Sequence, residues 1–153
     1  MKLRVLWLGK TRDAWIKNGV TEYATRVGRY LPLTFDELKD EKDATQQEGR
    51  RREGERLLKQ LSPQTVLVVL DERGQQMTSV QFAEFIGKQR DNGTAELAFA
   101  IGGAYGFSDE VRNRAARVLA LSAMTFTHQM VRPFLLEQMY RACTILNNEP
   151  YHH

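Results

Sequence analysis

The sequence predicts a three-layer α/β domain built on a predominantly parallel sheet. Short apolar runs rich in β-branched residues recur along the chain, and segments with apolar side chains at helical spacing separate them. Its 153 residues suffice for one ordinary domain, residues 1–153, and not for two. Parallel strands need crossover helices and buried strands need covering layers, so this alternation implies helices on both faces of a sheet.

Leu3, Val5, Leu6 and Leu8 predict a first strand stopped at Gly9, and Ile16, Val20, Tyr23 and Val27 recur at the spacing of a first helix. Residues 34–38 read as the second strand and the charged residues 39–43 as its exposed exit. Thr45 and Glu48 have the spacing of a capping box, in which Thr45 accepts a backbone N–H while Glu48 reaches back, and the helix then runs to about Leu61. Residues 65–70 form the most apolar stretch, suited to a strand covered on both faces, with polar residues 71–74 ending it. Ser79 is the expected cap of the next helix, whose apolar face is Phe82, Phe85 and Ile86. Residues 97–101 predict a fourth strand, 109–117 a helix and 118–122 a short fifth strand. Residues 129–146 form a last helix with Val131, Leu135, Met139 and Ala142 on one side. No repeat is evident.

A content of 42% hydrophobic and 27% charged residues excludes a disordered tail. The formal charge of +3 permits an RNA partner without demonstrating one. Residues 1–30 carry seven basic and two acidic side chains, a local +5, so Arg4, Lys10, Arg12, Lys17, Arg26 and Arg29 are candidates for contacts with backbone phosphates. Arg50, Arg51 and Arg52 could extend this field, but Glu48, Glu53 and Glu55 flank them, so a solvated helix face is the preferred reading. The single Cys143 excludes an intramolecular disulfide and any multi-cysteine metal site, so no metal is expected and a reducing compartment fits. Residues 1–9 are too short and too interrupted for a signal peptide. No run reaches the roughly 18 apolar residues of a membrane helix. The cytoplasm is the expected location, with no membrane partner.

Ligand sites in parallel sheets lie beyond the carboxyl ends of the strands, which directs attention to residues 70–74, 102–108 and 121–128. The turn Ile101-Gly-Gly-Ala-Tyr-Gly-Phe-Ser108 allows close backbone approach to a ligand. Its spacing fits neither the dinucleotide Gly-x-Gly-x-x-Gly pattern nor the phosphate loop, so NAD and ATP gain no support. A purely structural turn remains an equal reading. Leu121, Met124 and Phe126, taken alone, read as core.

In this order, Leu70-Asp-Glu-Arg-Gly74 followed by Ser79 and Phe82, Ile101-Gly-Gly-Ala-Tyr-Gly106, and Leu121-Ser-Ala-Met-Thr-Phe-Thr-His128 followed by Val131-Arg132 resemble the SPOUT superfamily. With Tyr140-Arg-Ala and Asn148-Glu-Pro-Tyr-His152, the chain closely resembles its ribosomal RNA large-subunit methyltransferase H branch over essentially its full length. The resemblance implies a carboxyl-terminal trefoil knot, a homodimer, and S-adenosylmethionine bound in the knot. It makes Leu70 and Gly102 cofactor contacts, with Gly103 as their close neighbour and Leu121, Ser122, Ala123, Met124, Thr125 and Phe126 as the adenine-side wall. The implied reaction methylates N3 of a pseudouridine in 23S rRNA within the large subunit of an assembled ribosome.

Four residues are the catalytic candidates. His128 is a usable base near neutral pH, although at a helix start it could equally be structural. Arg132, one turn later, suits RNA phosphate or base recognition, or else a helix-face ion pair. Tyr151 could stack on a base and His152 could handle a proton, in a tail that a family-like dimer would carry to the second subunit's cofactor. A merely docked terminus is the other reading of the tail. The chain departs from the family pattern at Thr127, where relatives have proline, and at Glu149 and His153. Methylation of another rRNA or a tRNA position, or a nonenzymatic role in ribosome assembly, are the competing functions.

Overall fold

The computed structural model describes residues 1–153. Five strands, β1 (Lys2–Leu8), β2 (Leu33–Leu38), β3 (Val66–Gln76), β4 (Glu96–Ile101) and β5 (Arg117–Ala120), form one sheet in the order β2-β1-β4-β3-β5, parallel at every pairing. The helices are α1 (Ala14–Gly28), α2 (Gln46–Leu58), α3 (Ser79–Asp91), α4 (Asp109–Arg114) and α5 (His128–Leu146). None is long and apolar enough to cross a membrane.

Side-chain alternation along the strands sends successive residues to opposite faces and so creates two cores. Leu3, Val5, Trp7, Val68, Phe99 and Ile101 pack with Val27 of α1, Phe82 and Ile86 of α3, and Leu135, Leu136 and Met139 of α5. Leu6, Leu8, Leu67, Val69, Ala98 and Ala100 face the other way, toward Leu57 of α2 and Val111 of α4. The expected three layers are present. Residues 121–127 carry the chain from the β5 edge to the opposite face, where α5 packs against α1 and α3.

Three local expectations are corrected. Thr45 does cap α2 by accepting from the Glu48 N–H at 3.2 Å, but the Glu48 carboxylate turns to Arg51 and Arg52 instead of closing the box. The full box sits one helix later. There Thr78, rather than Ser79, accepts from the Gln81 N–H, and Gln81 Oε1 accepts from the Thr78 N–H. Ser79 Oγ instead donates to Gln138 on α5 at 2.7 Å.

Strand β3 does not end at Leu70. Leu70 and Gln75 both fall opposite Leu119, so residues 71–74 bulge outward and pairing resumes beyond them. Gly74 makes this possible, because a Cβ there would lie 2.7 Å from the Val118 carbonyl oxygen. The bulge therefore projects a polar loop at the carboxyl end of the sheet.

Candidate active site

The carboxyl ends of β3, β4 and β5 open into a cleft of about 1040 Å³, whose lining includes Leu70, Gly102, Gly103, Leu121, Ser122, Met124, Thr125, Phe126 and His128. The three loops marked in the sequence thus converge. Ala123 is exposed within the third loop. Thr125 Oγ1 donates to Glu72 Oε2 at 2.5 Å and ties the third loop to the first, while the Met124 N–H donates to Ser122 Oγ at 3.0 Å within the third loop. Arg112 donates to Asp71 Oδ2 at 2.8 and 3.1 Å and anchors the bulge from α4.

Helix α2 braces the glycine turn from behind. Arg50 Nε donates to the Tyr105 carbonyl at 3.0 Å, and the Tyr105 ring lies where a Gly49 side chain would begin. Buried Glu53 accepts the Glu41 N–H with Oε2 at 2.9 Å, while Oε1 stands 3.3 Å from the position of a Gly103 Cβ. Burial raises the Glu53 pKa. A side chain at Gly103 would press on the Glu53 carboxylate and touch Leu8, so glycine gives this turn its closest approach to α2.

His128 opens α5, capped by Thr127, whose hydroxyl accepts the Met130 N–H at 3.2 Å. The threonine that departs from the family pattern thus supplies a side-chain acceptor that proline lacks. Burial first, then the charges of Arg132 and Arg12, push the His128 pKa below 6.5, so the ring is neutral at pH 7. Its place at the positive end of a helix acts in the same direction.

Arg132 lies inside the protein. Its guanidinium donates to Thr11 Oγ1 at 2.8 Å and to the Leu8 carbonyl at 3.0 Å, and sits 4.8 Å from the centre of the Trp7 ring. Burial lowers its pKa to about 10, which leaves it charged at neutral pH. It therefore clamps the segment after β1 rather than reaching outward to a phosphate. Gln129 completes the clamp, accepting from the Arg12 N–H at 3.1 Å and donating to the Lys10 carbonyl at 3.0 Å.

Tyr151 and His152 are elsewhere. The tail folds back through Asn148, whose φ is +56°, onto α5 and α1. Tyr151 donates to Glu137 Oε1 at 3.0 Å, the Arg141 guanidinium bonds the same oxygen and covers the Tyr151 ring, and His152 Nδ1 lies 3.2 Å from Arg141. Glu149, the second departure, accepts from Tyr30 Oη at 2.7 Å and pushes that phenol's pKa up to about 12. At 1.5 Å per residue, ~20 Å of helix separates His128 from Arg141, so one chain does not bring the four catalytic candidates together.

The family description "Predicted SPOUT methyltransferase" matches residues 1–152. The chain belongs to the SPOUT methyltransferase family. Its three-layer architecture is the α/β knot of that family. It is 82% identical to the ribosomal RNA large subunit methyltransferase H of Trichlorobacter lovleyi and 63% identical to that of Pelobacter propionicus, each over the whole of both chains. Among solved structures, a probable methyltransferase from Bordetella pertussis shares the fold with TM-score 0.58 at 10% identity, covering 93% of this chain and 96% of that one. A methyltransferase from Legionella pneumophila, solved with its cofactor SAM, has TM-score 0.53 at 11% identity, covering 93% of this chain and 66% of its own.

In this SPOUT chain the basic cluster of residues 1–30 is not one surface. Arg4 is engaged by Asp36 at 2.6 Å and Glu96 at 3.3 Å near the amino ends of the strands, and Arg26 pairs with Glu22 on α1. Arg12 alone of that cluster lines the cleft. Sequence reasoning missed Gln129 and Trp15 as cleft residues. Only Trp15 left a signal: it lies one position before Ile16, off the apolar face of its helix.

Proposed function

We propose that the chain, as a homodimer in the bacterial cytoplasm, transfers a methyl group from S-adenosylmethionine to N3 of a pseudouridine in 23S rRNA of the assembled ribosome. The observation that carries this reading is the convergence of the three SPOUT loops on one cleft, in a chain 82% identical over its full length to a large-subunit rRNA methyltransferase. The lining fits the cofactor. Leu70, Leu121, Met124 and Phe126 offer apolar surface for the adenine and methionine chain, and the backbone at Gly102 and Gly103, unobstructed by side chains, can orient them. S-adenosylmethionine supplies an activated methyl group on a sulfonium.

The chain's own residues then position the base and manage its proton. Neutral His128 accepts the N3 proton on an imidazole nitrogen as N3 takes the methyl. Arg132 and Gln129 fix the segment after β1 that forms the facing wall. Tyr151 and His152, remote from the cleft of their own chain, serve the cleft of a second copy. An apolar face beside α5 supports that pairing: Phe126 and Phe134 are exposed, stack edge-to-face at 5.2 Å and border a second cleft of about 490 Å³ that reaches Glu137 below the tail.

The test is nucleotide-resolution mapping of labelled methyl after incubation with ribosomes, free rRNA and matched pseudouridine-free substrates. Label on N3 of one pseudouridine in ribosomes is the expected result. Label at another rRNA or tRNA position would replace the substrate assignment, and folded, cofactor-binding protein that transfers nothing would overturn the enzymatic reading.

A further inference from the structure

The most conspicuous residue of the cleft that no catalytic or cofactor role absorbs is Trp15. Its side chain is 60% exposed at the first turn of α1, yet it lines the same cleft as Gly102, Leu121 and His128. The other tryptophan, Trp7, is buried between Phe35 and Arg132, whereas Trp15 stacks on no ring or guanidinium of the chain. An indole face left in water at the rim of a ligand cleft forfeits a large apolar contact. We propose that Trp15 is the stacking platform for the target base, which holds the unpaired base flat while its N3 edge points at the cofactor; this rests on the reading of the chain as an rRNA methyltransferase.

Three observations favour a nucleic-acid base as the occupant. The cleft, at about 1040 Å³, slightly exceeds the roughly 300–1,000 Å³ range of single-ligand pockets, which leaves room for a base beside a cofactor. Arg12 and Arg73 line it together with Trp15, giving flanking phosphates cationic partners around an aromatic face, the combination by which proteins hold unpaired bases. The backbone that carries Trp15 is anchored: Ile16 beside it is buried in the core, and the Arg12 N–H is held by Gln129 Oε1 at 3.1 Å. A base extruded from its stack meets a surface already in place and loses less entropy on docking.

The experiment compares Trp15→Ala, Trp15→Leu and Trp15→Phe for single-turnover transfer to pseudouridine-containing ribosomes, S-adenosylmethionine affinity and sedimentation mass. Loss of one base stack corresponds to roughly 5- to 150-fold in kcat/KM. W15A and W15L are expected to lose that much and W15F to retain most of the rate, with cofactor affinity and dimer mass unchanged. Wild-type transfer by W15A, equal rescue by leucine and phenylalanine, a parallel fall in cofactor affinity, or a shift toward monomer mass would each overturn the platform, the last by making Trp15 a contact between subunits. Absence of transfer by the unmodified protein would instead overturn the methyltransferase reading, and the platform with it.

Discussion

The guanidinium of Arg132 lies 4.8 Å from the centre of the Trp7 ring, closed off from solvent, with bonds to Thr11 and the Leu8 carbonyl joining the start of α5 to the end of β1. A buried charge held by a π face and two acceptors is a structural element. Arg132→Ala leaves a cavity and strips the Leu8 carbonyl of this donor, at an expected cost of ~3 kcal/mol. Arg132→Lys keeps the charge but not the planar fork, at ~1–2 kcal/mol. Urea denaturation measures both; wild-type midpoints would show that the clamp contributes nothing.

His128 is expected to act as a neutral base with an acid limb below its ordinary value. The folded chain holds the imidazole below 6.5 through burial and the charges of Arg132 and Arg12. Its contribution to stability is complete above 6.5 and is lost as pH falls through the folded value, because the unfolded chain then binds the proton more readily. The single-turnover rate is expected to stay flat from pH 7.5 to about 6.5 and to fall below that. His128→Ala is expected to slow transfer about 100-fold or more with cofactor affinity little changed. An acid limb centred above 6.5, or a wild-type rate in H128A, would exclude the base role.

Gly74 is expected to tolerate no side chain. A Cβ there lies 2.7 Å from the Val118 carbonyl oxygen and 2.8 Å from the Leu119 nitrogen, and backbone cannot rotate away. Gly74→Ala should cost roughly 1–3 kcal/mol and weaken cofactor binding by displacing residues 71–73. Gly28→Ala is the control, since a Cβ there meets nothing within 4 Å and alanine favours helix by ~0.5–1 kcal/mol. Thermal unfolding should move the two variants in opposite directions; equal midpoints would place the β3 bulge elsewhere than at Gly74.

Apolar patterns at strand and helix spacing exposed most of the elements, because each buries one face and its sequence must say which, while the cap at Thr45 marked α2. Strand order was not legible, since β1 lies between β2 and β4 through pairings that no local spacing encodes. The polar run 71–74 looked like a strand end because Gly74's tolerance of β5 backbone is visible only once β5 is beside it. Arg132 looked outward-facing for a similar reason: its acceptors, Leu8 and Thr11, lie at the other end of the chain. The loops that form the cleft were legible as motifs, whereas the separation of Tyr151 and His152 from His128 depends on the length of α5 and the reversal at Asn148.

That separation yields the last prediction. If the tail serves a second copy's cleft, a subunit with His128→Ala and an intact tail, mixed with one carrying Tyr151→Ala and an intact cleft, forms heterodimers in which one of the two sites is entirely wild type. Equal mixing makes half the dimers heterodimers, so transfer should recover to about a quarter of the wild-type rate although each parent is nearly inactive. Mutation of Glu137, whose Oε1 binds both Arg141 and Tyr151, should mimic the tail lesion and be complemented by the same partner. A mixture no more active than its parents, with subunit exchange verified by mass, would place the chemistry within one chain and leave the docked tail a structural cap on α5.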